Sequence, residues 1–245
     1  MPDKKGRKNA SEAFMRMRLR SNLQEKMSAC NEWLAIYEGL NFYARTEEEK
    51  YDIIDCKKLF GNDNPVYLEI GCGKGDFIIK TALEHPEINF LALEKISNVI
   101  ILGLKRAYDM RIPNLRFINC NAQNLCYYLN DDTISRIYLN FSCPYPKGTY
   151  KNHRLTNKRF LDIYKRILID GSEIWQKTDN MHFFEYSLTE FSKCGFIITE
   201  VQLDLHHSNF EGNILTEYET KFSEMGLPIY RLVARYEQNN KEISD

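Results

Sequence analysis

Between about Val66 and Leu205 the apolar positions switch repeatedly between two periods. VYLEIG (66–71) is a near-continuous apolar run of strand length, and DFIIKTALEHP carries helical spacing until Pro86 stops it. NFLALE (89–94) predicts a second strand, and the next helix sets Ile96, Val99, Ile100, Leu104 and Ala107 on one side. The alternation continues through NLRFINC (114–120), a short helix from Gln123, and RIYLNF (136–141). A helix from Asn157 places Phe160, Tyr164, Ile167 and Leu168 on one face, and SEIWQKT (172–178), another helix and FIITEVQLDL (196–205) follow. TEYETKFSEM and PIYRLVARYE predict a last helix and strand. Strands alternating with helices predict an α/β fold, a doubly wound and mostly parallel sheet with helices on both faces.

Ahead of this pattern, Ser21 to Tyr43 shows helical spacing through Leu23, Met27, Trp33, Leu34 and Tyr37, and GNDNP (61–65) is turn chemistry. We expect a basic, partly disordered N-terminal extension with a helix over residues 1–60 and one domain over 61–245. Residues 1–15 are charged and nearly devoid of large apolar groups, so disorder is expected there.

Composition refines this picture. In 245 residues, 43% hydrophobic, there is material for one sizeable core. A formal net charge of -1 hides two basic clusters. One holds Lys4, Lys5, Arg7, Lys8, Arg16, Arg18 and Arg20 against Asp3 and Glu12; the other runs from Lys147 to Arg166 with Asp162 as its lone acid. Such clusters on an otherwise acidic chain suggest a polyanion footprint. The seven cysteines are odd in number and lack C-x-x-C spacing or histidines at zinc offsets, which favours reduced thiols and no metal. No signal peptide opens the chain and no apolar run reaches the ~18 residues of a membrane span. A soluble, cytoplasmic protein is expected.

Sheets of this kind bind ligands outside the carboxyl ends of their strands. In LEIGCGKGD, Gly71, Gly73 and Gly75 permit a tight turn with close ligand approach, but Asp76 stands where the dinucleotide fingerprint needs glycine, and the P-loop G-K-[ST] is missing. This pattern fits a nucleoside sulfonium better. Glu94, ending the next strand, suits the two hydroxyls of a ribose, or alternatively the start of a helix. Asn121 lies where an adenine edge is readable, or forms only a turn.

LEIGCGKG, LALEK, IYLNFSCPYPK, HRLT, QKTDN, LHHSN, EGNILTEYE and PIYR, in unbroken order over roughly residues 60–235, resemble the bacterial tRNA (guanine-N7)-methyltransferases. The resemblance implies a Rossmann-like class I methyltransferase with a seven-stranded sheet. It further implies transfer of a methyl group from S-adenosylmethionine to N7 of a guanosine in the tRNA variable loop. By position, Glu69, Glu94 and Asn121 would contact the cofactor, together with the glycine turn, and Cys143 would sit beside it. Lys147, Asp179 and the segment Thr216, Glu217, Tyr218, Glu219 would meet the guanosine. Met15 to Arg18, MRMR, also recurs in the family. The family usually has Asp where this chain has Asn121, and D-P-W where it has Cys143, Pro144 and Tyr145.

The second departure sets Cys143 where the family often uses a carboxylate at the reaction centre. Guanine N7 carries a lone pair and no proton, so no general base is needed, and orientation supplies up to roughly 7 to 11 kcal/mol. A carboxylate would stabilise the positive charge entering the purine, which a neutral thiol does poorly. A catalytically weakened tRNA-binding paralogue that keeps the cofactor pocket is therefore the alternative. Asp179 suits the guanine N1 and N2 donors, or a helix cap. Thr216 and Glu219 have capping-box spacing, which leaves Glu217 freer to read a base. Tyr145 offers a ring for a splayed guanine, or core packing, and Lys147, Lys151 and Arg154 would steer phosphates. His153, His206 and His207 form no triad or metal set. The expected partner is tRNA, with no membrane, and the protein a monomer or homodimer.

Overall fold

Alternation along the central strands determines what each face buries. Leu68 and Ile70 point to one side of the sheet and Glu69 to the other. The structure, a computed structural model, describes residues 22–38 and 52–238; the basic stretch 1–20, including Met15 to Arg18, lies outside the described residues. The strands are β1 (Leu34–Tyr37), β2 (Val66–Ile70), β3 (Asn89–Leu93), β4 (Leu115–Asn119), β5 (Ile134–Asn140), β6 (Leu168–Thr178), β7 (Ile197–Gln202) and β8 (Tyr230–Arg235). They form one sheet in the order β1-β4-β3-β2-β5-β6-β8-β7. The first six are mutually parallel, and β8 runs antiparallel between β6 and β7.

The helices are α1 (Leu23–Ala29), α2 (Cys56–Phe60), α3 (Asp76–Glu84), α4 (Ser97–Asp109), α5 (Leu125–Tyr128), α6 (Lys158–Ile167), α7 (Met181–Lys193) and α8 (Glu217–Glu224). One face packs Leu68, Ile70, Leu91 and Leu93 against Phe160 and Tyr164 of α6 and Phe184 and Phe191 of α7. The opposite face packs Phe90 and Phe117 against Ile78 of α3 and Ile100 and Leu104 of α4. The mostly parallel sheet with helices on both faces is the predicted architecture. Chain direction across the sheet reverses between β2 and β5, and this switch opens a crevice at their carboxyl ends.

The N-terminal segment differs from its periodicity. The helix stops at Ala29, a 3-10 turn spans Asn31–Trp33, and LAIY becomes β1, an eighth strand beside β4 with Leu34 opposite Phe117 and Tyr37 opposite Asn119. The free ladder of β4 offers pairing that a helical turn cannot use. Trp33 fixes the junction by donating its indole N–H to the Ile112 carbonyl at 2.7 Å. Leu23, Met27 and Trp33 enter the same core as α3 and α4, so packing is continuous across residue 61.

Glu38 completes the attachment. Its buried carboxylate accepts from the Tyr128 hydroxyl at 2.9 Å, Asn124 Nδ2 at 3.0 Å and the Asn121 amide at 3.2 Å. Glu38→Ala leaves these donors without their acceptor, so we expect a loss of about 3 kcal/mol, seen as a Tm lower by roughly 10 °C. An unchanged melting curve would remove Glu38 from the scaffold.

Candidate active site

The turn after β2 is bound to β3 from beneath. Gly71 and Cys72 both donate their amides to the Leu93 carbonyl, at 2.8 and 2.9 Å. Gly75, with φ of 79°, starts α3 where α4 comes closest. A Cβ on Gly75 would lie 3.3 Å from the Gly103 Cα, and one on Gly103 would lie 2.7 Å from the Lys74 carbonyl oxygen. On the other side, a Cβ on Gly71 or Gly73 meets nothing within 4 Å, so that face is open. Gly103 was not among the expected site residues. Its signal is a glycine inside a helical run, unfavourable by about 1 kcal/mol relative to alanine and therefore in need of a packing reason.

Carboxylates flank this turn. Glu69 is buried at the end of β2; its Oε1 accepts from Asn140 Nδ2 at 3.0 Å and its Oε2 has no partner among the described residues. Burial pushes its carboxyl up to about 7, against the pull of Asn140 and of the Lys177 ammonium. Glu94 accepts the Ile96 amide at 2.9 Å on Oε1 and the Gly73 amide at 3.3 Å on Oε2. It thus both holds the loop that leads into α4 and steadies the glycine turn. Burial raises its carboxyl, and these amides act in the opposite direction. Asn121 lies two residues past β4 and caps a 3-10 turn, where its Oδ1 accepts the Gln123 amide at 3.1 Å. An orphaned carboxylate oxygen beside an open glycine face suits a cationic nucleoside, and the donor set fits S-adenosylmethionine.

The segment after β5 is strained. Phe141 and Tyr145 take φ of 49° and 40°, left-handed values that carry roughly 1 to 3 kcal/mol each in a residue other than glycine. Phe141 is held by its amide, which donates to the Lys177 carbonyl at 2.8 Å. Arg154 holds Tyr145: its Nε donates to the Pro144 carbonyl at 2.9 Å and Nη2 to the Tyr145 carbonyl at 3.1 Å, with the guanidinium over the Tyr186 ring. Arg154 is therefore a loop clamp, unlike Lys147 and Lys151, which are exposed on or beside a 3-10 turn over Gly148–His153. Cys143 is exposed, and Tyr145 is half-buried with its ring 5.5 Å from that of His153.

Asp179 follows β6. The cap of α7 is Asn180, whose Oδ1 accepts the Phe183 amide at 2.9 Å, so the half-buried Asp179 carboxylate is not occupied by capping. Burial raises its carboxyl above the ordinary range. Thr216 caps α8 through the Glu219 amide at 2.9 Å. The Glu219 carboxylate does not complete a capping box; it is fully buried and pairs with Lys177 Nζ at 2.7 Å. Tyr218 is exposed and stacks on Phe141, ring centroids 6.3 Å apart. The side chain of Glu217 lies outside what is described. Among the described residues, no cluster of three or more His, Cys, Asp or Glu side chains is placed to hold a metal ion, and no helix is long and apolar enough to cross a membrane.

Sheet order, glycine turn and the acid ending β3 together define a Rossmann-like class I methyltransferase that uses S-adenosylmethionine. Solved structures share the fold. The 16S rRNA methyltransferase KamB matches with a TM-score of 0.58 at 14% identity, covering 78% of this chain and 97% of that one. A 16S rRNA (adenine(1408)-N(1))-methyltransferase from Catenulisporales acidiphilia matches with a TM-score of 0.56 at 12% identity, over 76% and 92% of the two chains. The family described as "Putative methyltransferase" matches residues 63–232. The tRNA (guanine-N(7)-)-methyltransferase of a Geobacillus strain is 48% identical over 179 residues, covering 73% of this chain and 81% of that protein. Its counterpart from Listeria monocytogenes is 49% identical over 182 residues, 74% and 85% of the two. The chain belongs to the tRNA (guanine-N(7)-)-methyltransferase family.

Gly103→Ala separates the turn from the scaffold. The helix gains about 1 kcal/mol of propensity, while the new methyl group presses on the Lys74 carbonyl with overpacking of about 1 to 3 kcal/mol. We expect a nearly unchanged Tm and an S-adenosylmethionine Kd raised about ten-fold by titration calorimetry. Wild-type affinity would show that α4 does not set the turn.

Proposed function

We propose that this enzyme transfers the methyl group of S-adenosylmethionine to N7 of a guanosine in the variable loop of tRNA. The observation that carries this conclusion is the near-half identity to tRNA (guanine-N(7)-)-methyltransferases over about three-quarters of the chain. When bound, S-adenosylmethionine supplies an electrophilic methyl group on sulfonium. The chain's own residues have to hold and orient the two reactants. Glu69 Oε2 takes the cationic end of the cofactor, Glu94 the ribose hydroxyls and Asn121 the adenine edge. Asp179 accepts from guanine N1 and N2, as carboxylates read base donors. Thr216 to Tyr218 and Tyr145 border the base, and Lys147 and Lys151 meet the phosphates.

No side chain has to remove a proton, because N7 presents only a lone pair. The task of the loop over Phe141–Tyr145 is therefore geometric, and its strained backbone, fixed by Arg154 and the Lys177 carbonyl, supports that role. Cys143 contributes shape at this edge, not acid–base chemistry. All seven cysteines are unpaired, which supports a cytoplasmic enzyme.

Incubation with labelled S-adenosylmethionine and unmodified tRNA, followed by nucleoside digestion, tests the activity. The label is expected in 7-methylguanosine from the variable loop; label in another nucleoside, or no transfer with both ligands bound, contradicts the assignment. A pH series tests Glu69. Its carboxyl is neutral below about 7 and charged above, and the charged form attracts the cofactor's cation. Affinity for S-adenosylmethionine should therefore climb roughly twenty-fold from about pH 5.5 to 7.5, and Glu69→Gln should flatten the rise. A flat wild-type profile would place the cation elsewhere.

A further inference from the structure

Lys177, the last residue but one of β6, is a buried cation at the carboxyl end of the strand. Its ammonium donates to Glu219 Oε2 at 2.7 Å, the Ile214 carbonyl at 3.0 Å and Asn213 Oδ1 at 3.1 Å. Three acceptors match the three hydrogens of an ammonium. All three belong to one short segment, so residues 213–219 curl around a single charge. Glu219 is held from its other side by Asn213 Nδ2 and lies 3.3 Å from His206 Nε2. Burial pushes the Lys177 ammonium down in pKa and Glu219 pushes it back up. The same residue's carbonyl receives the Phe141 amide, which joins the strained end of β5 to the α8 segment, where Tyr218 stacks on Phe141.

We infer that Lys177 is the positioning residue of the guanosine-binding segment: it sets Thr216 and Tyr218 in place by gathering Asn213, Ile214 and Glu219 around its ammonium, and Glu219 serves this clamp instead of reading the base. The inference rests on the assignment of Thr216 to Tyr218 to the acceptor nucleoside. A helix as short as α8 does not hold its place by propensity, and needs a tether of this kind.

Lys177→Met, Glu219→Gln and the double variant test it, with three measurements on the full-length protein: kcat/KM for tRNA, affinity for S-adenosylmethionine, and amide hydrogen exchange without ligands. Each single variant is expected to lower kcat/KM about ten-fold and the double variant no further, with cofactor affinity of Glu219→Gln and of the double variant, measured at about pH 8.5 where Glu69 is charged, within about two-fold. Amides of residues 214–220 should exchange at least about ten-fold faster while those of β2, β3 and β5 stay protected. If Lys177→Met fails to fold because Glu219 is left buried and unpaired, the double variant, which removes both charges, carries the comparison. Wild-type kcat/KM in the double variant would overturn the proposal. So would a Glu219→Gln loss far exceeding that of Lys177→Met, which is the signature of a group that touches the base. A wild-type protein that transfers no methyl group contradicts the assigned activity instead, and unaltered exchange in the variants then overturns the clamp on its own.

Discussion

The two amides of Gly71 and Cys72 converge on one carbonyl, that of Leu93, and the cofactor side of the crevice is built outward from this contact. It extends the β2–β3 ladder one step past its last paired residues, so the glycine turn inherits the rigidity of the sheet. Glu94 then links the turn to the next loop through the Gly73 and Ile96 amides, and Asn119 of β4 donates to the Glu94 carbonyl at 2.8 Å. Ser97 closes the chain by donating to Asn119 Oδ1. Three strand ends are thereby fixed relative to one another before any ligand arrives, which lowers the ordering cost of binding.

The side of the crevice proposed for the acceptor is organised differently. It uses two left-handed residues, a guanidinium clamp and a buried ammonium, each of which holds a loop in one position against its local preference. Strain kept in this way is useful where the reaction asks for alignment and little else. Methyl transfer to a proton-free nitrogen is such a reaction, since the electron pair is already available and charge only migrates from sulfur to purine. The departure at Cys143 is tolerable on this view, because the loop is held by Arg154 and the Lys177 carbonyl and not by residue 143.

Much of this was legible in the sequence. Unbroken apolar runs and well-marked breaks at Pro86 and Asn157 located the central strands and helices, and G-x-G-x-G after E-I located the turn. The N-terminal strand was not legible: Leu34 and Tyr37 fit a helical stripe, and only the free edge of β4, far away in sequence, selects the extended form. Gly103, Glu38 and Lys177 were missed for a related reason. Each acts on partners dozens of residues away, at Lys74, Tyr128 and Glu219, and even the QKTDN motif that contains Lys177 does not reveal that partner. Arg154 was legible as a cation but not as a clamp, since its acceptors are carbonyls that any sequence supplies.

The central claim is that orientation, and not a charged or basic group at position 143, drives the transfer. The direct measurement is the single-turnover methyl-transfer rate of Cys143→Ala with tRNA and S-adenosylmethionine both saturating. The account predicts a rate within about three-fold of wild type. A loss of about a hundred-fold, ~2.7 kcal/mol of barrier, would contradict it and give the thiol a chemical role.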